Sequence, residues 1–416
     1  MRYLTIDDID LKEKTVLVRV DFNVPIKDGI VQDTVRIERA VETIEDLRKK
    51  QAKIILISHL GRPKGGADGT YSLQSVAAIL SDILLGDRVS FSPDYSVTES
   101  LKERVVEMEP GDVLLLENLR FNKEEYQNCD SFAQSLAQLA DYYVNDAFSA
   151  SHREHTSVSA ITKYLPALIG RSFLTEMRAL DKILENPKKP IMAIVGGSKV
   201  STKMDLLEEL ISKVDVLVVA GGIAHTMLLA KGYNLGKSIC EREKVTLAQR
   251  LIERAKDNNC ELIIPSDFIV AKSMEPESES CRVNIENMED DDIALDIGST
   301  TVKDIQYHIK NAKTLLWNGP LGFFEVDPYD KGTAEVAQCV ALRTEEGELV
   351  SIAGGGDTVA ALTQVGYIEN FSYISTAGGA FLQFVEGKPL PGLEGLKKSG
   401  ASGRSCTIRK NKDNSV

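Results

Sequence analysis

No apolar run in the 416 residues approaches the ~20 consecutive positions that a membrane-spanning helix needs. The opening, MRYLTIDDIDLKEK, lacks the apolar stretch of a secretory leader, so a cytoplasmic protein is expected. The six cysteines form no C-x-x-C pair, and the spacing of cysteine and histidine supplies neither a zinc site nor a disulfide framework. Basic residues are in deficit: 49 lysines and arginines stand against 62 aspartates and glutamates, a net charge of −13. A polyanion needs a basic footprint, so nucleic acid is not expected as the main partner. Also missing is a G-x-G-x-x-G run with an acid ~20 residues on, which a dinucleotide oxidoreductase would carry.

What the chain does contain is a recurring unit: a short apolar run, a polar or glycine-rich turn, then a helix-period segment. The first series is TVLVRV (15–20), KIILISHL (53–60), DVLLLENL (112–119) and DYYVNDAF (141–148). The second is IMAIVGG (191–197), VLVVAGG (216–222), LIIPSDF (262–268), TLLWNGP (314–320), LVSIAGGG (349–356) and YISTAGG (373–379). Continuous β-rich runs alternating with helices predict parallel sheet covered on both faces. The length exceeds what one core usually supports, so the expected fold is α/β with two doubly wound, Rossmann-like domains. Segment 167–185 has helical periodicity and ends at the breaker NPKKP, which predicts a helix joining the domains. Residues 397–416 are polar, locally basic and aperiodic, and are expected to be a disordered tail.

The two series differ in the residues just beyond their strands, where open α/β sheets place ligands. The first carries Asp21, Asn23, His59, Arg62, Arg120, His152 and Arg153, with Arg36 at a helix start. If Asp33 caps that helix, Arg36 stands where a capping box wants an acid, and its charge opposes the dipole. One such arginine reads as solvated surface, but four in equivalent places suit bidentate capture of a compact anion. His59 alone would be a satisfied polar residue; beside Arg62 it reads as a phosphate or carboxylate donor, through both ring nitrogens when protonated. Asp21 and Asn23 are turn formers, and Asp21 can also accept from a substrate hydroxyl.

The second series carries glycines instead. In VGGSKVSTKMDLLEEL (195–210), Lys199 and Lys203 lie at a helix start beside Gly196 and Gly197, without P-loop spacing. IAGGGDTVAAL (352–362) reads as strand, three glycines and helix, offering backbone donors and the dipole's positive end to an anion. Asp357 is either a helix cap or the carboxylate that holds Mg²⁺ against phosphates. Asn318 and Glu325 flank the apolar turn of WNGPLGFFE, and Glu325 is either a ribose acceptor or solvated.

At these residues, over roughly 1–396, the chain closely resembles phosphoglycerate kinases. The motifs are VRVDFNVP, ISHLGRPKG, LLLENLRF, VNDAFSASHR, GGSKVSTK, LLWNGPLGFFE, AGGGDT and ISTAGGA, specific through their number, order and spacing. The resemblance implies reversible, Mg²⁺-dependent phosphoryl transfer between 1,3-bisphosphoglycerate with ADP and 3-phosphoglycerate with ATP, by domain closure in a monomer. It implies that Asp21, Phe22, Asn23, Arg36, His59, Leu60, Gly61, Arg62, Arg120 and Arg153 bind the phosphoglycerate. Gly196, Gly197, Lys199, Lys203, Gly222, Asn318, Pro320, Glu325, Gly354, Gly355, Gly356, Asp357 and Thr358 would serve the nucleotide, with Asp357 on the metal. Arg36 and Lys199 would carry catalysis. The implied division is 1–168 with a returning segment 383–396 for the acid, and 169–382 for the nucleotide. FSASHREH, His225, DIGSTT and Ala377 depart from the usual FGTAHRAH, Tyr, DIGPKT and glycine, and bear on adenosine binding and hinge mobility. They leave the arginines, both lysines and Asp357 in place.

Overall fold

The apolar runs become strands. The computed structural model describes residues 3–64, 66–84, 89–184, 187–275 and 278–401, without the side chains of 182–184 and 398–401. The chain divides into two units, one comprising residues up to Met177 and from Pro389 onward, the other Arg178–Lys388. In the first lie β1 (Thr15–Arg19), the short hairpin β2 (Ile26–Lys27) and β3 (Ile30–Val31), and β4 (Lys53–Ile57). They are followed by β5 (Val89–Ser92), β6 (Val113–Leu116), β7 (Tyr142–Asn145) and β8 (Ala167–Ile169). Six of these form a parallel sheet in the order β5-β6-β4-β1-β7-β8.

Alternate residues explain why this sheet is buried on both sides. Val16 and Val18 pack with Ile37, Ile44 and Leu47 of the helix Val35–Lys49, and with Ile54 and Leu56 of β4. Leu17 and Ile55 point to the other face and are equally buried.

The second unit holds β9 (Ile191–Val195), β10 (Val216–Val219), β11 (Glu261–Ile263), β12 (Asp267–Ala271) and β13 (Ser280–Asn284). It continues with β14 (Ile293–Ile297), β15 (Thr314–Asn318), β16 (Val350–Gly354) and β17 (Tyr373–Ser375). Its parallel sheet runs β11-β10-β9-β15-β16-β17, around a core that includes Met192, Ile194, Leu315 and Trp317. Both sheets are the doubly wound α/β architecture expected. A small antiparallel sheet, β13-β12-β14, was not foreseeable from a parallel pattern.

Three expectations are corrected. Residues 167–169 are strand β8, paired with β7, and the helix is Arg171–Leu184; a strand partner for three buried apolar residues outweighs helical period. The division falls inside that helix, and the return begins at Pro389 rather than 383. The helix Pro391–Ala401 runs through Lys397, where an aperiodic tail is expected to start, because Leu390, Leu393 and Leu396 repeat at helical spacing and are buried. The rest of that tail lies outside the described residues.

Candidate active site

In each parallel sheet the chain fills one side of a central strand and then the other, so a crevice opens where the order reverses. In the first sheet that point lies between β1 and β7, in the second between β9 and β15. The predicted residues gather at these carboxyl ends.

In the first unit Asp21 follows β1 as the hub of a polar turn. Its Oδ1 accepts from the Asn23 N–H at 3.2 Å, and its Oδ2 accepts short hydrogen bonds from Arg36 and from the Ser149 hydroxyl. Asn23 in turn accepts from the Gly61 N–H at 2.8 Å, tying the β1 turn to the β4 turn. Ser149, one of the departures from the family pattern, therefore adds a hydroxyl to the site. The helix start differs from expectation: Thr34 is the N-cap, and Asp33 takes the Val35 N–H at 2.9 Å. Arg36 is thus the second helical residue, and the acid of the first turn is Glu38, which accepts from the Thr34 hydroxyl at 2.6 Å.

Arg120 sits in the turn Leu119–Phe121 after β6 and is buried. It donates to the Gly61 carbonyl at 2.5 Å and lies over the Tyr126 ring, 5.3 Å from its centroid. Its Nε is buried without a hydrogen-bond partner among the described residues. Burial pushes Arg120 down to about 10, still a cation at neutral pH. Arg153 is half-buried and donates to His152 Nε2 at 3.1 Å. Burial, then the charges of Arg62 and Arg19, lower its pKa. Arg62 is exposed and makes no hydrogen bond among the described residues.

His59 is buried beside these charges. Burial first, then Arg19, Arg120, Arg153 and Arg36, hold it well below the usual histidine range. Donation through both ring nitrogens, which needs the protonated form, is therefore disfavoured, because an imidazolium would be both desolvated and ringed by cations, and His59 is a neutral ring. Phe22 and Leu60 have their side chains in the core, which leaves only their backbones for any ligand contact. Sequence reasoning missed Arg19, whose charge reaches both His59 and Arg153. The available signal was an arginine ending an otherwise apolar strand, since a buried charge must have partners.

In the second unit the crevice between β9 and β15 is closed by side chains on backbone. Lys203 Nζ donates to the Gly196 carbonyl at 2.6 Å, to Asn318 Oδ1 at 2.6 Å and to the Asn318 carbonyl at 3.3 Å. Burial lowers its pKa to about 8, with Asp357 opposing the shift. Asn318 donates to the Gly354 carbonyl at 2.6 Å. The Thr358 hydroxyl links the Gly319 N–H (2.6 Å) to the Gly354 carbonyl (2.9 Å). The helix Met204–Ile211 begins after Lys203, so Lys199 lies in the preceding turn, exposed and with no hydrogen bond from its ammonium among the described residues.

Some glycines serve packing. A Cβ on Gly196 would come within 1.9 Å of the Pro320 carbonyl oxygen, and one on Gly222 within 2.1 Å of the Ser198 oxygen. Gly197 borders the Lys203 side chain, and Gly354 ends β16. Gly355, at φ 104°, turns the chain into the helix Gly356–Gln364, while the space beside Gly356 is open. Asp357, in the first turn, is exposed and accepts no hydrogen bond among the described residues, so it is not the cap. Glu325 is likewise exposed and unbonded among them. His225 is buried, its Nδ1 2.9 Å from the Ile239 carbonyl and its ring edge-on to Phe268; burial lowers it to about 4. Away from this site, Glu289, Asp291 and Asp292 cluster around Lys272, whose ammonium lies 2.6–2.8 Å from each. Among the described residues no helix is long and apolar enough to cross a membrane.

Comparison with known proteins identifies the family and the fold. The family model described as phosphoglycerate kinase matches residues 6–388. The chain is 49% identical over 399 residues to a phosphoglycerate kinase of Sinorhizobium fredii, covering 96% of this chain and 100% of that one. It is 49% identical over 395 residues to that of Rhodopseudomonas palustris, covering 95% and 98%. The solved phosphoglycerate kinase from Coxiella burnetii superposes with a TM-score of 0.88 at 40% identity, covering 95% and 99%. That from Pyrococcus horikoshii OT3 gives 0.80 at 27%, covering 96% and 99%.

Proposed function

This chain belongs to the phosphoglycerate kinase family and is a phosphotransferase, and on that premise we propose that it moves a phosphoryl group reversibly between ATP and the carboxylate of 3-phosphoglycerate, as a cytoplasmic monomer. The observation that carries the reading is the segregation of two half-sites. One unit gathers guanidinium groups around a neutral His59; the other turns glycine backbone and lysines toward the end of its sheet. The first suits a small acid with phosphate and carboxylate, the second a nucleotide polyphosphate.

The acceptor carboxylate is ionised at neutral pH, so attack on the γ-phosphoryl needs no general base. Catalysis then reduces to positioning and charge stabilisation. Arg120, Arg153, Arg62 and the His59 N–H hold the acid, and Asp21 orients Arg36 while remaining able to accept from the acid's hydroxyl. Arg36 and Lys199 stabilise charge on the transferring phosphoryl. Glycine N–H groups at 354–356 and Lys203 take the other phosphate oxygens. Asp357 is the residue that would hold Mg²⁺: an exposed carboxylate without a hydrogen bond, at a helix start with open space beside Gly356, fits an ion that takes one protein ligand and phosphates. When bound, Mg²⁺ neutralises charge between the phosphates.

Neither half holds a complete site, so transfer requires the domains to close, and reacting atoms must come within ~3–3.5 Å. A coupled assay with Mg-ATP tests the activity: ADP should form only when 3-phosphoglycerate is present. No turnover from folded protein would leave a nucleotide-binding regulator as the better reading. Small-angle scattering tests closure, and the radius of gyration should fall most with both substrates; an unchanged radius during turnover contradicts it.

A further inference from the structure

Arg19 is completely buried at the end of β1, and its guanidinium faces inward on every side that the hydrogen bonds define. Nε donates to the Ser157 hydroxyl at 2.9 Å, NH1 makes a short bond to the Val20 carbonyl, and NH2 lies 2.9 Å from His59 Nδ1. The last contact fixes a proton. A guanidinium has five N–H donors, no acceptor, and remains protonated in proteins. In a bond between the two, Nδ1 must therefore be the acceptor and carry no hydrogen. His59 is a neutral ring, so its single proton resides on Nε2, which makes no hydrogen bond among the described residues.

The charge of Arg19 is balanced within the same unit. The Ser157 hydroxyl that accepts from Arg19 donates onward to Glu125 Oε1 at 2.7 Å, and the Ser157 N–H donates to Glu125 Oε2 at 3.0 Å. Tyr143 donates its hydroxyl to the Ser157 carbonyl at 2.7 Å, holding this link from the β7 side. Glu125 is completely buried, and burial raises its pKa above the usual carboxylate range, while Arg19 is the foremost charge drawing it back toward the ionised form. An arginine that served a ligand directly would not need its donors directed to Ser157, Val20 and His59, nor a buried carboxylate behind it.

We propose that Arg19 is a positioning residue for the arginine site: it does not touch the acid, but locks His59 as the Nε2–H tautomer, so that the ring presents a donor to the anion. The opposite tautomer would turn an Nε2 lone pair toward a ligand rich in negative charge. Arg19, Ser157 and Glu125 thus act through one proton on one ring. The inference rests on reading the arginine cluster as the 3-phosphoglycerate site, but its central claim concerns the ligand-free protein.

The test is a long-range ¹H–¹⁵N correlation spectrum of the full chain with labelled histidine, His59 being assigned by comparison with His59→Gln. The ligand-free wild type should show a protonated Nε2 and an unprotonated Nδ1; a proton on Nδ1, or on both nitrogens, overturns the proposal. Arg19→Met should mix the tautomers and raise KM for 3-phosphoglycerate about tenfold, the scale of one hydrogen bond, with KM for ATP unchanged. Arg19→Lys, which keeps a donor-only cation, should recover part of both effects. Should Arg19→Met fail to fold, Arg19→Met with Glu125→Gln removes both buried charges and should show the same mixed tautomers. A variant without Arg19 that keeps the pure tautomer and the original KM also overturns it. A wild type with the expected tautomer but no turnover of 3-phosphoglycerate would instead refute the functional reading.

Discussion

The ammonium of Lys203 donates to the side-chain oxygen of Asn318 at 2.6 Å, so a residue expected to meet phosphate also bridges the ends of β9 and β15. Lys199, four positions earlier, is exposed and has no such bond among the described residues. The two lysines should therefore separate in mutation. Lys203→Met breaks bonds to Gly196 and Asn318 and should lower Tm by several degrees as well as weaken nucleotide binding, because a charge-assisted bond contributes about 1.5–3 kcal/mol. Lys199→Met should keep Tm within about a degree, as surface substitutions usually do, while kcat falls at least ~10²-fold. Thermal melts beside steady-state kinetics decide it; equal Tm losses in both variants would refute the distinction.

Arg36 is bonded to Asp21 at the second position of its helix, where a cation gains nothing from the dipole. Arg36→Lys should reduce kcat by about 10²–10³, since a point charge does not reproduce a planar fork. A kcat within about threefold of wild type, with folding intact, excludes the role.

Asp146 predicts how stability depends on pH. Its carboxyl is buried beneath the start of the helix Arg171–Leu184, where Oδ1 accepts from the Phe173 N–H at 3.1 Å. Burial raises it to about 7, against the hydrogen bonds of Thr43 and Phe173. In the unfolded chain an aspartate titrates near ~3.9. Between roughly pH 4 and pH 7 the folded state binds the extra proton, so this group's contribution favours folding at the low end and is lost as pH rises. Asp146→Asn keeps the acceptor and removes the titration. Its Tm should match the wild type near pH 4.5 and exceed it by several degrees at pH 8. A pH-independent difference between the two proteins would count against a buried, titrating carboxyl.

The strands were legible because parallel sheet covered on both faces makes continuous apolar runs, as TVLVRV and IMAIVGG show. The arginines were legible by residue type at strand ends. What escaped depended on partners distant in the chain. Ala167–Ile169 reads equally as helix until β7 pairs with it. β13 is mostly exposed, so its residues carry no burial pattern. Arg19 resembles one more strand residue until Ser157 and His59, 138 and 40 positions away, are placed against it. The start of the helix after Lys203 was misplaced because each lysine is followed by an apolar residue, Val200 or Met204, and only the contacts of Nζ distinguish them.

Two adjacent glycines allow packing and ligand approach to be told apart. Gly355 sits at φ 104°, and a Cβ there would lie 2.5 Å from Asn318 Nδ2. Gly355→Ala is therefore strained twice, by backbone conformation and by contact, and should cost about 1–3 kcal/mol and several degrees of Tm. Gly356 has no positive φ, and a Cβ there meets nothing within 4 Å. As the first residue of the helix Gly356–Gln364 it should accept alanine with stability unchanged or raised by up to ~1 kcal/mol. The open space is nevertheless where a phosphate would approach the helix N-terminus, and a methyl group would keep the N–H donors from it. Gly356→Ala should thus melt no lower than wild type yet bind Mg-ADP at least ~10-fold more weakly by calorimetry. If it binds as wild type does, the phosphates do not rest on this turn and the assignment of 354–358 to the nucleotide is wrong. If it loses Tm and affinity together, Gly356 is a packing glycine like Gly196, and the open space beside it has another purpose.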